Sequence, residues 1–243
     1  MTHTRLLLFT SLLLVVLLAA CAPAATPTPA PAPAATAVPP AESSPQPPDE
    51  GVALDVRTFR LDPARSQASY TAEEEFFNEA VGMLGKALGL ANAVGVTNAL
   101  QGEFAVSPFT PPQVVSGQFQ VDISTLKSDD NRRDNRIRQR WLESSRYPSA
   151  AFVPTGIQDF PADAAEGQPF SFKLAGDMTI RQVTKPVVFD VTATLQGNEL
   201  TGVAQAELLM TDFGFEPPDM PGLLKVKDAV TVKLEFTAVE AGG

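Results

Sequence analysis

The stretch DNRRDNRIRQRWLESSRYPSAAF, residues 130–152, sets five arginines into nine positions and places Asp134 directly after Arg133. Two more aspartates, Asp177 and Asp212, stand in or beside strand-like segments. A carboxylate beside an apolar cavity can act as a general acid or base, and these three are the best material in the chain for such work. The chemistry argues against it. Arg133 would hold Asp134 ionised, and a structural ion pair explains both residues. Asp177 falls on the outward parity of its strand. No catalytic residue and no enzymatic activity is expected.

The rest of the chemical inventory is thin. Histidine occurs once, at His3, and cysteine once, at Cys21. Beyond Cys21 the chain lacks the ligands of the usual zinc, haem and thiol sites, and it lacks the parts of histidine triads. A metal would have to be a hard cation held by oxygens, and no metal site is expected. No internal disulfide can form from one cysteine. The net charge of −10 over 243 residues argues against a nucleic-acid partner, despite the local run of arginines.

The elements that must position these residues are written mainly with period two. In FSFKLAGDMTI, Phe170, Phe172, Leu174, Gly176, Met178 and Ile180 share one parity. VVSGQFQVDI, VVFDVTATL and VKDAVTVKLEF alternate in the same way and carry Phe119, Val121, Phe189, Val232 and Phe236 on their apolar face. Each reads as a strand with one apolar and one solvated face. Gly197-Asn198 between two such strands signals a hairpin. Shorter runs near 57–61, 66–75, 98–107, 150–160 and 199–211 bring the count to eight or nine strands. Short connections make them antiparallel. The fold class is therefore all-β: an antiparallel barrel of about eight strands with one or two short helices, a two-sheet sandwich being the alternative. Gly102, Gly117, Gly176 and Gly202 sit on the inward parity of four strands. They either allow curvature or leave side-chain volume missing and so enlarge a cavity.

Two segments break the pattern. In EFFNEAVGMLGKALGLANAV, residues 75–94, Phe77, Val81, Leu84 and Leu88 follow a helical period with a wide apolar face, weakened by Gly82, Gly85 and Gly89. This predicts a helix that is either a lid over a barrel mouth or packed permanently on the barrel. The second is the arginine-rich stretch itself. Ser128 or Asp129 is the expected N-cap, with Asp129–Arg133 and Asp134–Arg138 as i, i+4 pairs. Ile137 and Trp141 form one docking stripe. Arg133, Asp134 and Arg140 border it, and Arg132, Arg136 and Arg138 point further away.

The chain opens MTHTR, followed by an apolar run of about 15 residues, below the roughly 20 that span a bilayer. A charged start, an apolar middle and small residues describe a secretory signal. LAAC, ending at Cys21, resembles the lipobox of bacterial lipoproteins, which implies lipidation of Cys21 after removal of residues 1–20. Ordinary cleavage near Ala20 is the alternative. The mature chain would carry 17 basic against 28 acidic side chains, a net charge of −11. Residues 21–51 form an Ala/Pro-rich tether that holds ten of the chain's 22 prolines and favours extended conformations. Residues 52–240 make one domain of ordinary size.

Taken together, VDISTLKSDDNRRDNRIRQRWLESSRYPSAAF, LAGDMTIRQVTKPVVFDV and TDFGF resemble the YceI-like polyisoprenoid-binding proteins from about Val56 to Val239. The Arg133-Asp134 pair, Tyr147-Pro148-x-Ala150-x-Phe152, Gly176-Asp177-x-Thr179-Ile180 with Val183-Thr184-Lys185-Pro186, and Asp212-Phe213-Gly214 carry the resemblance. Trp141 and Leu142 replace the family's usual aromatic pair. Asn135 and Arg181 stand where many members have histidine, and the apolar insertion at 75–94 is longer than usual. The resemblance implies a lipocalin-like barrel whose apolar cavity holds an isoprenoid chain of the quinone or polyprenyl type, in an exported protein.

The expected function is an extracytoplasmic lipoprotein, in the periplasm or at the cell surface, anchored through Cys21 and carrying, storing or sequestering such a lipid. Beyond that lipid no cofactor is expected, and a homodimer is left open. The alternative is an interaction or structural lipoprotein with a filled barrel. Expected cavity liners are Phe104, Phe119, Val121, Phe172, Leu174, Met178, Phe189, Val232 and Phe236. Arg133, Asp134, Arg140, Trp141 and Asp212 are expected at the cavity mouth.

Overall fold

Eleven strands form one antiparallel sheet in the computed structural model, which describes residues 56–107 and 111–242. The expected signal, the lipidation site Cys21 and the tether lie outside the described residues. The strands are β1 (Arg57–Leu61), β2 (Gln67–Phe76), β3 (Gly89–Thr97), β4 (Leu100–Val106), β5 (Val114–Asp122), β6 (Ser149–Gln158), β7 (Pro169–Ile180), β8 (Val183–Gln196), β9 (Glu199–Leu209), the two-residue β10 (Asp219–Met220) and β11 (Leu224–Glu240). Two short helices are present, α1 (Asn78–Leu84) and α2 (Asn131–Arg136).

The sheet closes on itself. β1 and β2 are halves of one strand broken by a 3₁₀ turn at Pro63–Arg65, and β3 and β4 are halves of another broken at residues 98–99. β11 is long enough to pair β9 along one edge and both β2 and β1 along the other. The circuit β1-β4-β5-β6-β7-β8-β9-β11 therefore returns to β1 and makes an eight-stranded barrel. Closure removes the row of unpaired backbone groups that an open sheet would present. The alternation read from sequence sets the walls. On β9, Ala204, Ala206 and Leu208 are buried while Val203, Gln205 and Glu207 face solvent. The β8–β9 hairpin turns on Gly197-Asn198, with Gly197 at φ +59° and Gln196 paired to Glu199, as the sequence predicts.

The 75–94 segment is not the long helix its apolar spacing predicts. Its first two residues finish β2, only Asn78–Leu84 is helical, and Gly89–Thr97 pairs with β2 as a strand. Gly85 stops the helix in the left-handed region at φ +66°, a conformation that glycine adopts at no steric cost. α1 is docked, not free. Ala80 is fully buried with Phe76, Met210 and Leu224, and the Glu79 amide donates to the Gly222 carbonyl at 3.2 Å. Leu88, expected on a helix face, lies exposed just before β3.

The connection from β5 to β6 carries α2. Its N-cap is Asp130, not Ser128 or Asp129. The Asp130 carboxylate accepts from the amides of Arg132 (2.9 Å) and Arg133 (3.4 Å), filling two orphan donors of the first turn. After Arg136 the helix widens into a π turn over Ile137–Trp141. A backbone bridge between Val96 and Lys127 ties this connection to β3.

Candidate functional site: an apolar lumen

The barrel is not filled. It holds a cavity of about 650 Å³, within the size range of small-molecule sites. Its wall is almost wholly apolar because the inward parity of the strands is apolar. Phe59, Phe104, Phe119, Phe152 and Phe189 form a continuous chain of rings across β1, β4, β5, β6 and β8, with centroids 4.9–6.4 Å apart. These spacings suit tilted and edge-to-face aromatic contacts.

The inward glycines explain how so many rings leave a lumen. Phe119 of β5 lies over Gly102 of β4, where a Cβ would approach the ring to 2.5 Å. Phe236 lies over Gly202, where a Cβ would come within 2.9 Å of the ring. Phe152 covers Gly176 and Tyr70 covers Gly95 in the same manner. Gly117 differs, because its space is taken chiefly by Pro154. The missing side-chain volume lets rings lie flat against the wall instead of standing across the barrel.

All nine expected liners, Phe104, Phe119, Val121, Phe172, Leu174, Met178, Phe189, Val232 and Phe236, lie on this wall. The expected mouth residues divide. Arg133 and Trp141 line the lumen, as does Ile137. Asp134 does not. It is buried behind α2, where its carboxylate accepts from the Ser128 amide (3.0 Å) and hydroxyl (2.6 Å). Arg140 is exposed and faces away from the lumen, whereas Arg132 and Arg136, expected to point away, border it. Asp212 is exposed on the outer surface beside Lys185 and Glu207, and the next residue, Phe213, turns inward and is 2 % exposed.

Arg133 does not pair with Asp134. It reaches the inner face of β2, where its guanidinium forms a two-pronged ion pair with Glu74, Nε to Oε1 at 3.1 Å and Nη2 to Oε2 at 2.9 Å. Its Nη1 donates to Ser128 Oγ and Asp129 Oδ1, so the expected Asp129–Arg133 pair is present. The expected Asp134–Arg138 pair is not. Arg138 donates to the Leu126 carbonyl at 2.9 Å instead. Burial works against the Arg133 charge, but the hydrogen bonds it donates to Glu74 and Asp129 outweigh it and raise its pKa further. The hydrogen bond from Arg133 holds Asp129 below the usual carboxylate range. Burial pushes Asp130 upward, but the amide and side chain of Arg132 and the amide of Arg133 overcome it and leave Asp130 lowered too.

Sequence reasoning missed two residues here, Tyr70 and Glu74. Both stand on the inward parity of β2 with Ala68, Ala72 and Phe76. The polar members of that otherwise apolar parity were the available signal. The Tyr70 hydroxyl is buried at the α2 end of the lumen and has no hydrogen-bond partner among the described residues. Burial pushes its pKa up to about 12. Arg181 pairs with Glu143 and lies 6.0 Å from the centre of the Tyr147 ring, clamping the π turn to the β7–β8 turn. Among the described residues no group of three His, Cys, Asp or Glu side chains is placed to hold a metal ion.

An eight-stranded antiparallel barrel around an apolar lumen defines a class of small, lipocalin-like cavity proteins. Within that class the chain belongs to the YceI-like domain family, whose model matches residues 59–238. It is 30 % identical over 149 residues to a UPF0312 protein of Shewanella denitrificans, covering 58 % of this chain and 73 % of that one. It is 25 % identical over 162 residues to a UPF0312 protein of Vibrio cholerae, covering 63 % and 80 %. Two solved structures share the fold at low identity. Burkholderia cenocepacia BcnA superposes with a TM-score of 0.54 at 18 % identity, covering 74 % of this chain and 99 % of that one. A polyisoprenoid binding domain from Saccharophagus degradans, implicated in plant cell wall breakdown, superposes with a TM-score of 0.55 at 14 % identity, covering 75 % and 98 %.

Proposed function

We propose that this protein binds an isoprenoid or similar long-chain lipid, of the quinone or polyprenyl type, inside its barrel, and that it carries, stores or sequesters that lipid outside the cytoplasm. The observation that carries the reading is the apolar lumen of about 650 Å³. Burial contributes roughly 0.8 kcal/mol per CH₂, so one five-carbon unit contributes about 3–4 kcal/mol before the costs of binding. A few units suffice without any catalytic constellation. A filled barrel, the structural alternative, would leave no such space. The likeness to a domain described as polyisoprenoid binding supports the same ligand class. Native mass spectrometry of the purified chain, with organic extraction of its contents, is the test. A protein that emerges empty and ignores added quinones and polyprenols refutes the reading.

The proposed location follows from the sequence: a signal at residues 1–20, a lipid on Cys21 and a tether at 21–51. Cys21→Ser is expected to move the protein from the membrane fraction to the soluble extracytoplasmic fraction. An unchanged distribution would remove the anchor from the proposal.

A further inference from the structure

Among the described residues the lumen has one buried polar atom without a partner, the Tyr70 hydroxyl. Buried polar groups are hydrogen-bonded in the great majority of proteins, and an orphan on a cavity wall calls for an explanation. The site is shaped to keep it. Gly95, opposite Tyr70 on β3, has no side chain, and a Cβ there would overlap the phenol ring. The ring therefore lies against the wall with its hydroxyl at the α2 end, beside Arg133, Glu74, Asp129 and Asp134. The proton stays on the oxygen because burial disfavours the phenolate, so the hydroxyl is available as a donor.

Three of the four cations that line this end of the lumen are paired with carboxylates. Arg133 is held by Glu74, Asp129 and Ser128. Lys86 lies 3.6 Å from Asp129 and 3.9 Å from Asp130, and Arg132 lies 3.5 Å from Asp130. The fourth, Arg136, meets Met220 Sδ at 3.2 Å. An uncharged oxygen acceptor can accept from the Tyr70 hydroxyl without breaking any of these pairs.

Resting on the apolar-chain reading above, we propose that Tyr70 is the headgroup donor of this lumen: it hydrogen-bonds the uncharged oxygen of a chain lipid, a quinone-type carbonyl. Arg133 and Glu74 position the donor's surroundings and do not themselves grip the ligand.

The chain's single tryptophan, Trp141, lines the lumen and provides the readout. A short-chain ubiquinone is titrated into wild type and Tyr70→Phe with Trp141 quenching as the signal. Squalene, which has no headgroup, serves as competitor. The expected result is a loss of about 3- to 10-fold in quinone affinity in Tyr70→Phe, the worth of one neutral hydrogen bond. Squalene competes equally in both proteins. The ligand-free variant melts at or above the wild-type temperature, because deleting an unpaired hydroxyl removes a desolvation cost; this separates a binding defect from a folding defect. Equal quinone affinity in the two proteins, with squalene still binding, overturns the headgroup site and leaves the apolar-chain reading intact. No binding by either chain overturns both readings.

Discussion

Replacing Glu74 by alanine removes one half of the ion pair that pins α2 to the inner wall of β2. The glutamate side chain is 6 % exposed and that of Arg133 13 %, and two parallel hydrogen bonds join them. Removing one partner of a buried pair costs about 3–5 kcal/mol when the other is left uncompensated. Arg133 keeps Asp129 and Ser128, so the expected loss is smaller, about 2–3 kcal/mol on the same scale. For a domain of this size that corresponds to a fall of about 4–12 °C in Tm. Urea unfolding followed by Trp141 fluorescence measures it, because Trp141 lies on the same connection. The pair's own worth comes from the cycle of Glu74→Ala, Arg133→Met and those two combined. The double variant Glu74→Leu/Arg133→Met is expected to recover to within about 1 kcal/mol of wild type, since an apolar pair of similar volume commonly replaces a buried ion pair without loss. A loss under about 0.5 kcal/mol in Glu74→Ala, the level of an ordinary surface change, refutes the argument. So does a coupling energy near zero.

Other outcomes follow from the same geometry. Asp129 and Asp130 have lowered pKa values in the folded protein. The stability they contribute is complete above their ordinary value of about 3.8 and is lost as pH falls through the lower folded values. Urea midpoints measured below pH 4 should therefore drop, and Asp129→Asn/Asp130→Asn should flatten that drop. Arg140→Ala and Asp212→Asn lie away from the lumen and are expected to leave lipid binding unchanged, with stability within about 0.5 kcal/mol of wild type by urea titration. Gly176→Val would drive a side chain into the Phe152 ring and to 2.5 Å or less from the Val153 carbonyl. A loss of about 1–3 kcal/mol in urea, with reduced lipid capacity by native mass spectrometry, is expected.

The barrel was legible because its signal is local. Period-two runs such as Phe170–Ile180 and Val187–Leu195 carry both strand and facing in adjacent residues, and Gly197-Asn198 names its own turn. The α2 end was less legible because its contacts are distant. Arg133 and Asp134 are neighbours in sequence, but on a helix consecutive side chains diverge by about 100°. Arg133 turns to Glu74, 59 residues earlier, and Asp134 turns back to Ser128. Only the charge on the inward parity of β2 hinted at that partner. The 75–94 segment misled because a seven-residue helix and a strand share one apolar run. The full ladder from Ala68↔Thr97 to Phe76↔Gly89 decides the second half, against a spacing that also fits a helix. In TDFGF the charged residue drew the eye, while the buried phenylalanine beside it carries the contact with the lumen.

The rings that lie over Gly95, Gly102, Gly176 and Gly202 separate two properties usually tied together in a cavity. Its solvent character is set by side chains that face the interior. Its bore is set by backbone positions that no cargo can touch, because an aromatic ring covers each one. A single methyl added at such a position would narrow the passage from behind while leaving the wall as greasy as before. Discrimination between slim and branched chains can therefore drift independently of affinity for chains as such, and a search for the determinants of cargo shape among the cavity-facing residues alone would overlook them.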